Sequence, residues 1–95
     1  ENPKEYHYPY RRAMIAFKNK NYKLAEAQAK EAVPLSKGEH RLYTAALLVE
    51  ILESIGKKEE AQKVAKDGIA KAPSSLEKDS SAASKLEYLK KLAGQ

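Results

Sequence analysis

The sequence predicts an all-α protein of five helices, and three observations carry that prediction. Apolar residues recur every three to four positions through most of the chain, the spacing of one face of a helix. Ala, Leu, Lys and Glu dominate, whereas there is a single Phe and little Val or Thr, so helix formers outweigh strand formers. Hydrophobic residues at 42% and charged residues at 33% suit a chain that buries a core rather than one that stays unfolded. Ninety-five residues make one domain, 1–95, with a simple core. The absence of cysteine excludes disulfide and thiolate chemistry. No apolar run approaches the roughly 20 residues of a membrane span. The chain begins at Glu1, which reads as a trimmed or processed fragment and leaves the compartment unassigned.

The first helix is expected from about Pro9 to Lys18. Proline suits a first turn, where a missing N–H is no loss, and Tyr10, Ala13, Met14 and Phe17 then share a face. Tyr6 and Tyr8 fall before it, in an extended lead-in, because a residue preceding proline is biased away from the helix. The stretch Asn19-Lys20-Asn21-Tyr22 breaks the helix, since asparagine tolerates the left-handed conformation and caps the next helix. That second helix, about Tyr22 to Val33, carries a stripe of Ala25, Ala29 and Ala32 that permits close approach of a neighbour. Pro34 ends it or kinks its last turn. The third, about Glu39 to Ile55, is the most apolar, with Leu42, Ala45, Ala46, Leu48, Val49 and Leu52, so it must be covered on more than one side. Gly56 is its natural C-terminal cap. The fourth turns Ala61, Val64, Ala65 and Ile69 inward with Gly68 at a close contact. The fifth, capped by Asp79 or Ser80, sets Leu86, Leu89 and Leu92 on one face.

A repeat underlies these elements. Small residues return at the same spacing: Ala25 superposes on Ala61, Ala29 on Ala65 and Ala32 on Gly68, each 36 residues on. With Tyr22 after the first turn and the closing Pro73, these residues make the chain resemble the tetratricopeptide repeat family, whose helix-turn-helix unit recurs at about 34 residues. The resemblance covers about residues 8–73. It implies a first repeat at 8–37, a second at 39–73, and a capping helix at 79–93 that closes a tetratricopeptide-like array of five antiparallel helices. Pro34, the longer shift, and replaced bulky residues in the first helices depart from the family pattern.

Signals for catalysis are weak. His7 and His40 form no metal-ligand pattern, the four glycines form no phosphate loop, and the serines at 74, 75, 80, 81 and 84 sit where capping explains them. No enzyme activity, cofactor or metal is therefore expected. Binding is. In proteins resembling this family, the first helix of each unit lines a concave groove for a peptide or partner helix. By register, the resemblance assigns Tyr10, Arg11, Met14, Phe17 and Lys18, with His7, from the first unit. From the second it assigns Tyr43, Leu47 and Glu50, with Ala46 and Ser54. These are residue types enriched in interface cores, with charge at the edges. The lysine and asparagine of the family's carboxylate clamp are missing, since their places hold Tyr10, Met14 and Leu47, so capture of a chain terminus is not implied.

Two other partner classes follow from charge and shape. The net charge is +5, and residues 1–37 hold eight Lys or Arg against four acids. Tyrosines beside Arg11, Arg12, Lys18 and Lys20 suggest single-stranded RNA or another polyanion, although Arg11 and Arg12 point about 100° apart on a helix. A structural role is the third reading: a two-unit array exposes apolar ends, with Leu42, Leu48 and the fifth helix expected to meet another copy or a further domain, making a homo-oligomer.

Overall fold

Why each helix begins and ends where it does is explained largely by its turns. The computed structural model describes residues 5–73, 76–77 and 80–94. Five helices follow one another: α1 (His7–Lys18), α2 (Tyr22–Leu35), α3 (His40–Ser54), α4 (Lys58–Ala70) and α5 (Ser81–Ala93). Among the described residues there is no strand.

Helix α1 starts two residues earlier than the proline rule predicts, and Tyr8 is helical rather than extended. Its first backbone bond runs from the Tyr10 N–H to the Tyr6 carbonyl at 3.0 Å. Pro9 is thus the third helical residue, still within the first turn, whose N–H groups have no intrahelical acceptor. The ring costs no hydrogen bond there, and Pro9 is buried. Pro34 likewise sits inside the last turn of α2, which runs on to Leu35. The cap of α5 is Ser80, whose hydroxyl accepts from the Ala83 N–H at 3.1 Å. Asp79, the alternative cap, lies outside the described residues.

The two tight turns, α1–α2 and α3–α4, have the same backbone. Asn19 (φ −87°, ψ 8°) corresponds to Ile55 (φ −102°, ψ 11°), and Asn21 (φ −89°, ψ 75°) to Lys57 (φ −91°, ψ 64°). Between them Lys20 (φ 62°) corresponds to Gly56 (φ 81°). Each turn closes with the same two bonds. The N–H of the left-handed residue donates three residues back, Lys20 to Phe17 at 3.0 Å and Gly56 to Glu53 at 3.2 Å. The next N–H donates five back, Asn21 to Ala16 and Lys57 to Leu52, both at 2.8 Å. This is the Schellman arrangement. The left-handed residue of the first turn is therefore Lys20, where the propensities point to an asparagine; the asparagines flank it, and Asn21 caps α2 through Leu24 N–H at 3.4 Å. A lysine pays about 1–2 kcal/mol for that conformation. Replacing Lys20 with glycine is accordingly expected to raise unfolding free energy by about 1 kcal/mol, and Gly56→Ala to lower it by a similar amount. Urea denaturation of the two variants measures both; shifts of the same sign would mean the turns are not equivalent.

Packing follows from the turns. Helices α1, α3 and α5 form one row, with α2 and α4 each seated against two members of it. The molecule is 20 Å across its thinnest axis, which is two helix layers. Helix α3 is packed against all four others, and eight of its residues are buried, among them Leu42, Leu48, Val49, Ile51 and Leu52. Leu42 and Leu48, expected at an exposed end, are therefore core residues, at 0% and 3% exposure. The alanine stripes do what small residues permit. Ala25, Ala29 and Ala32 of α2 and Ala61 and Ala65 of α4 are buried at the helix contacts.

Polar groups secure the α2–α3 connection. The Ser36 hydroxyl donates to the Val33 carbonyl at 2.7 Å and lies 2.7 Å from the Thr44 hydroxyl, with both side chains buried. Arg41 donates from Nε to the Ser36 carbonyl at 3.2 Å and pairs with Asp67 of α4 at 3.3 Å. Across the next contact, Lys30 of α2 bridges Glu26 and Glu60, each at 2.8 Å, and Lys57 reaches Glu26 at 3.0 Å. Hydrogen bonds from Lys30 and Lys57 hold the Glu26 carboxyl below the usual range.

Candidate functional site, a groove between α1 and α3

Helix α1 packs broadly on α2 and only narrowly on α3. The gap this leaves is a groove of about 320 Å³. Tyr10, Met14, Phe17 and Lys18 line it from α1, Tyr43, Leu47 and Glu50 from α3, and Lys85 from α5. The spacing explains the convergence. Positions 10, 14, 17 and 18 share one face of a 3.6-residue helix, as do 43, 47 and 50.

Phe17, Tyr43 and Leu47 have a double role. Each is half-buried and packs on the core, while its remaining surface lines the groove. Phe17 is also held edge-on by Tyr22, with ring centroids 5.9 Å apart. Met14 is 46% exposed and adds apolar surface to the groove lining. At one end stands an aromatic cluster. The Tyr6 ring stacks on His7 at 4.2 Å and meets Tyr10 edge-on at 5.9 Å. Its hydroxyl is 2.8 Å from Nδ1 of His40, so Tyr6 ties the start of α1 to the start of α3.

The groove lining is mostly apolar and aromatic, with Lys18, Glu50 and Lys85 as its charged members. Burial raises the Tyr10 phenol pKa, with the neighbouring Tyr6, Glu50 and Tyr43 adding to the effect. Burial likewise raises Tyr88, and Glu50 and Glu53 contribute. The Glu50 carboxylate thus acts on tyrosines of both α1 and α5. Among the described residues no acidic side chain pairs with Lys18 or Lys85.

Seven of the eleven residues assigned by register come together in this groove, and Arg11, His7, Ala46 and Ser54 do not line it. Arg11 lies with Glu5, His7 and Tyr8 around a separate depression on another side of α1. Ala46 is buried at 1% exposure and contributes core. Lys85 is outside the register assignment. Its signal is present in the sequence, because α5 follows α4 as α3 follows α2, so a face of α5 belongs beside that of α3. Among the described residues, no three His, Cys, Asp or Glu side chains gather where they could hold a metal ion, and no helix is long and apolar enough to cross a membrane. No family model, curated protein or solved structure matches the chain.

Proposed function

We propose that the chain is a non-catalytic protein-binding module, an adaptor or assembly factor, that receives a peptide or partner helix in the α1–α3 groove. The groove itself carries this reading: a mostly apolar and aromatic lining with Met14 exposed, beside Glu50 and two lysines that no acidic side chain pairs among the described residues. Such a composition favours a chain with one or two apolar side chains to bury, oriented by charge at the rim. About 320 Å³ is enough for those side chains and lies at the low end for a small-molecule site.

We also infer a tetratricopeptide-like array, with units at 8–37 and 39–73 and α5 as its cap. The matching turns, with Lys20 in the place of Gly56, and the matching small residues Ala25 and Ala61 support it. In this reading the groove is the concave face, lined by the first helix of each unit.

Peptides selected from a random library on the immobilised protein test the groove assignment. Tyr10→Ala and Met14→Ala are expected to weaken the selected peptides by about tenfold or more, the loss of one buried anchor. Circular dichroism should be unchanged, since neither residue belongs to the buried core. Affinity that survives both substitutions would place the binding surface elsewhere.

A further inference from the structure

The equivalence of the two turns extends along the helices and exposes a difference between the units. A shift of 36 residues sets Tyr8, Arg12, Ile15 and Asn19 of α1 on Thr44, Leu48, Ile51 and Ile55 of α3. On α3 this stripe is covered. Thr44 meets Ser36, at the end of α2, at 2.7 Å, and Leu48 and Ile51 are 3% and 0% exposed. Helix α1 lacks the corresponding cover: it is packed against α2 and α3, which match the places of α4 and α5 on α3, and among the described residues nothing stands in the place of α2. Its stripe is bare, with Tyr8 at 45% and Ile15 at 60% exposure. Leu24, in the place of Glu60, is 46% exposed. Three large exposed hydrophobic residues thus lie on this one edge, and Ile15, Leu24, Ala16 and Arg12 help enclose a depression of about 250 Å³ there.

Charge identifies the occupant. Helix α2 meets the second unit through Glu26 on Lys57 and Lys30 on Glu60. In the first unit those two places hold Asn21 and Leu24, so a lysine arriving as Lys30 does would find no acid. Instead Arg12 stands where Leu48 is, and Lys20 and Lys23 are exposed on the adjoining turn and start of α2. Among the described residues none of these three cations is in an ion pair. A second copy of this chain would bring the same cations face to face, or present α5 with its exposed Lys90 and Lys91. Both arrangements oppose like charges.

We propose that the free edge of α1 and α2 is a docking surface for an acidic amphipathic helix of a partner protein, seated as α2 is seated on α3. The apolar stripe of that helix covers Tyr8, Ile15 and Leu24, and its carboxylates meet Arg12, Lys20 and Lys23. This surface is distinct from the α1–α3 groove and stands whether or not the groove binds a peptide.

The test uses the ¹⁵N-labelled protein and a synthetic peptide of the α2 sequence, residues 22–35, carrying Lys23→Glu and Lys30→Ala, which removes the lysine that would face Leu24 and leaves an acidic helix. Amide shifts are expected at Arg12, Ile15, Asn19 and Leu24 and not around Leu47. Ile15→Glu and Arg12→Glu should each weaken the peptide about tenfold or more, as a charge placed against an apolar stripe or a matching carboxylate does. Both residues are exposed, so unchanged melting curves should accompany the loss. Shifts centred on the groove, no shifts at millimolar peptide, or equal binding by Ile15→Glu would overturn the proposal. So would a size that grows with protein concentration in the absence of peptide and falls in Ile15→Glu, which would assign the edge to a second copy.

Discussion

Replacing Leu52 with alanine is expected to lower unfolding free energy by about 2–5 kcal/mol, the range for truncating a fully buried leucine. Leu52 has 0% exposure and lies in α3, the helix against which all four others pack. It also accepts, through its carbonyl, the 2.8 Å bond from Lys57 N–H that closes the α3–α4 turn. The backbone bond survives the substitution, so the loss reports side-chain packing. A domain of this length has about 5–14 kcal/mol in total, and the variant would forfeit a large share of it. Urea unfolding followed by circular dichroism measures the loss. A midpoint that falls with unchanged slope is the expected pattern. Ile15→Ala, at 60% exposure, is the control, with an effect within about 0.5 kcal/mol. If the two variants lose the same amount, α3 is not the centre of the core.

The two surfaces described above have a common origin. A repeat of the kind proposed makes the same faces twice, and what differs is which of them a neighbour covers. The second unit has α2 before it and α5 after it, so its stripe of Leu48 and Ile51 is closed over. Among the described residues α1 has neighbours on only one side, and Ile15 remains in solvent. Sequence reflects this: Arg12 replaces Leu48 and Asn19 replaces Ile55, which lowers the cost of exposure without removing Ile15 or Leu24. The groove arises differently. It is left because α1 packs broadly on α2 and only narrowly on α3.

The helices are legible because their signal is local. Apolar spacing locates α3 to within a residue at each end, and Gly56 marks its stop. The departures have physical causes. The pre-proline rule makes Tyr8 extended, but a bias of that kind is small beside the burial of Pro9 and the contacts of Tyr6 with His40. Lys20 escapes a reading by propensity because the left-handed conformation favours asparagine and glycine. In the chain, the superposed turn dictates which residue must adopt it, whatever its identity. Seven of the groove residues coincide with the register that the family resemblance implies. Arg11 shares the helix face of Lys18, two turns on, but lies with Glu5, His7 and Tyr8 around another depression, a choice of neighbours that helix register alone does not carry. Leu42 and Leu48 read as end residues because the sequence does not say which side of α3 each neighbour takes.

Gly68→Leu should be the most damaging change outside α3, at about 3 kcal/mol, while Gly68→Ala stays within about 1 kcal/mol of the parent. A β-carbon at Gly68 would come 3.1 Å from Cβ of Ala45 and 3.1 Å from Cδ1 of Leu89, so α4 meets α3 and α5 at this point. Leu89 can give way, since the atom in question is the end of a flexible side chain. Ala45 cannot, because its Cβ moves only with the backbone of α3. Alanine therefore needs a shift of a few tenths of an ångström, and removing glycine from a helix interior offsets that cost. The first unit already carries the change: Ala32 occupies the equivalent place, fully buried. Leucine has no such accommodation. Its γ and δ carbons would have to enter space held by Ala45 and Leu89, and relief requires α4 to lift from both helices together. Because that contact joins α4 to both α3 and α5, near-native helicity with a broadened, lower melting transition is expected for the leucine variant. Thermal unfolding of the parent and both variants decides the matter. A leucine variant as stable as the alanine one would mean that α4 does not approach α3 as closely as Gly68 permits.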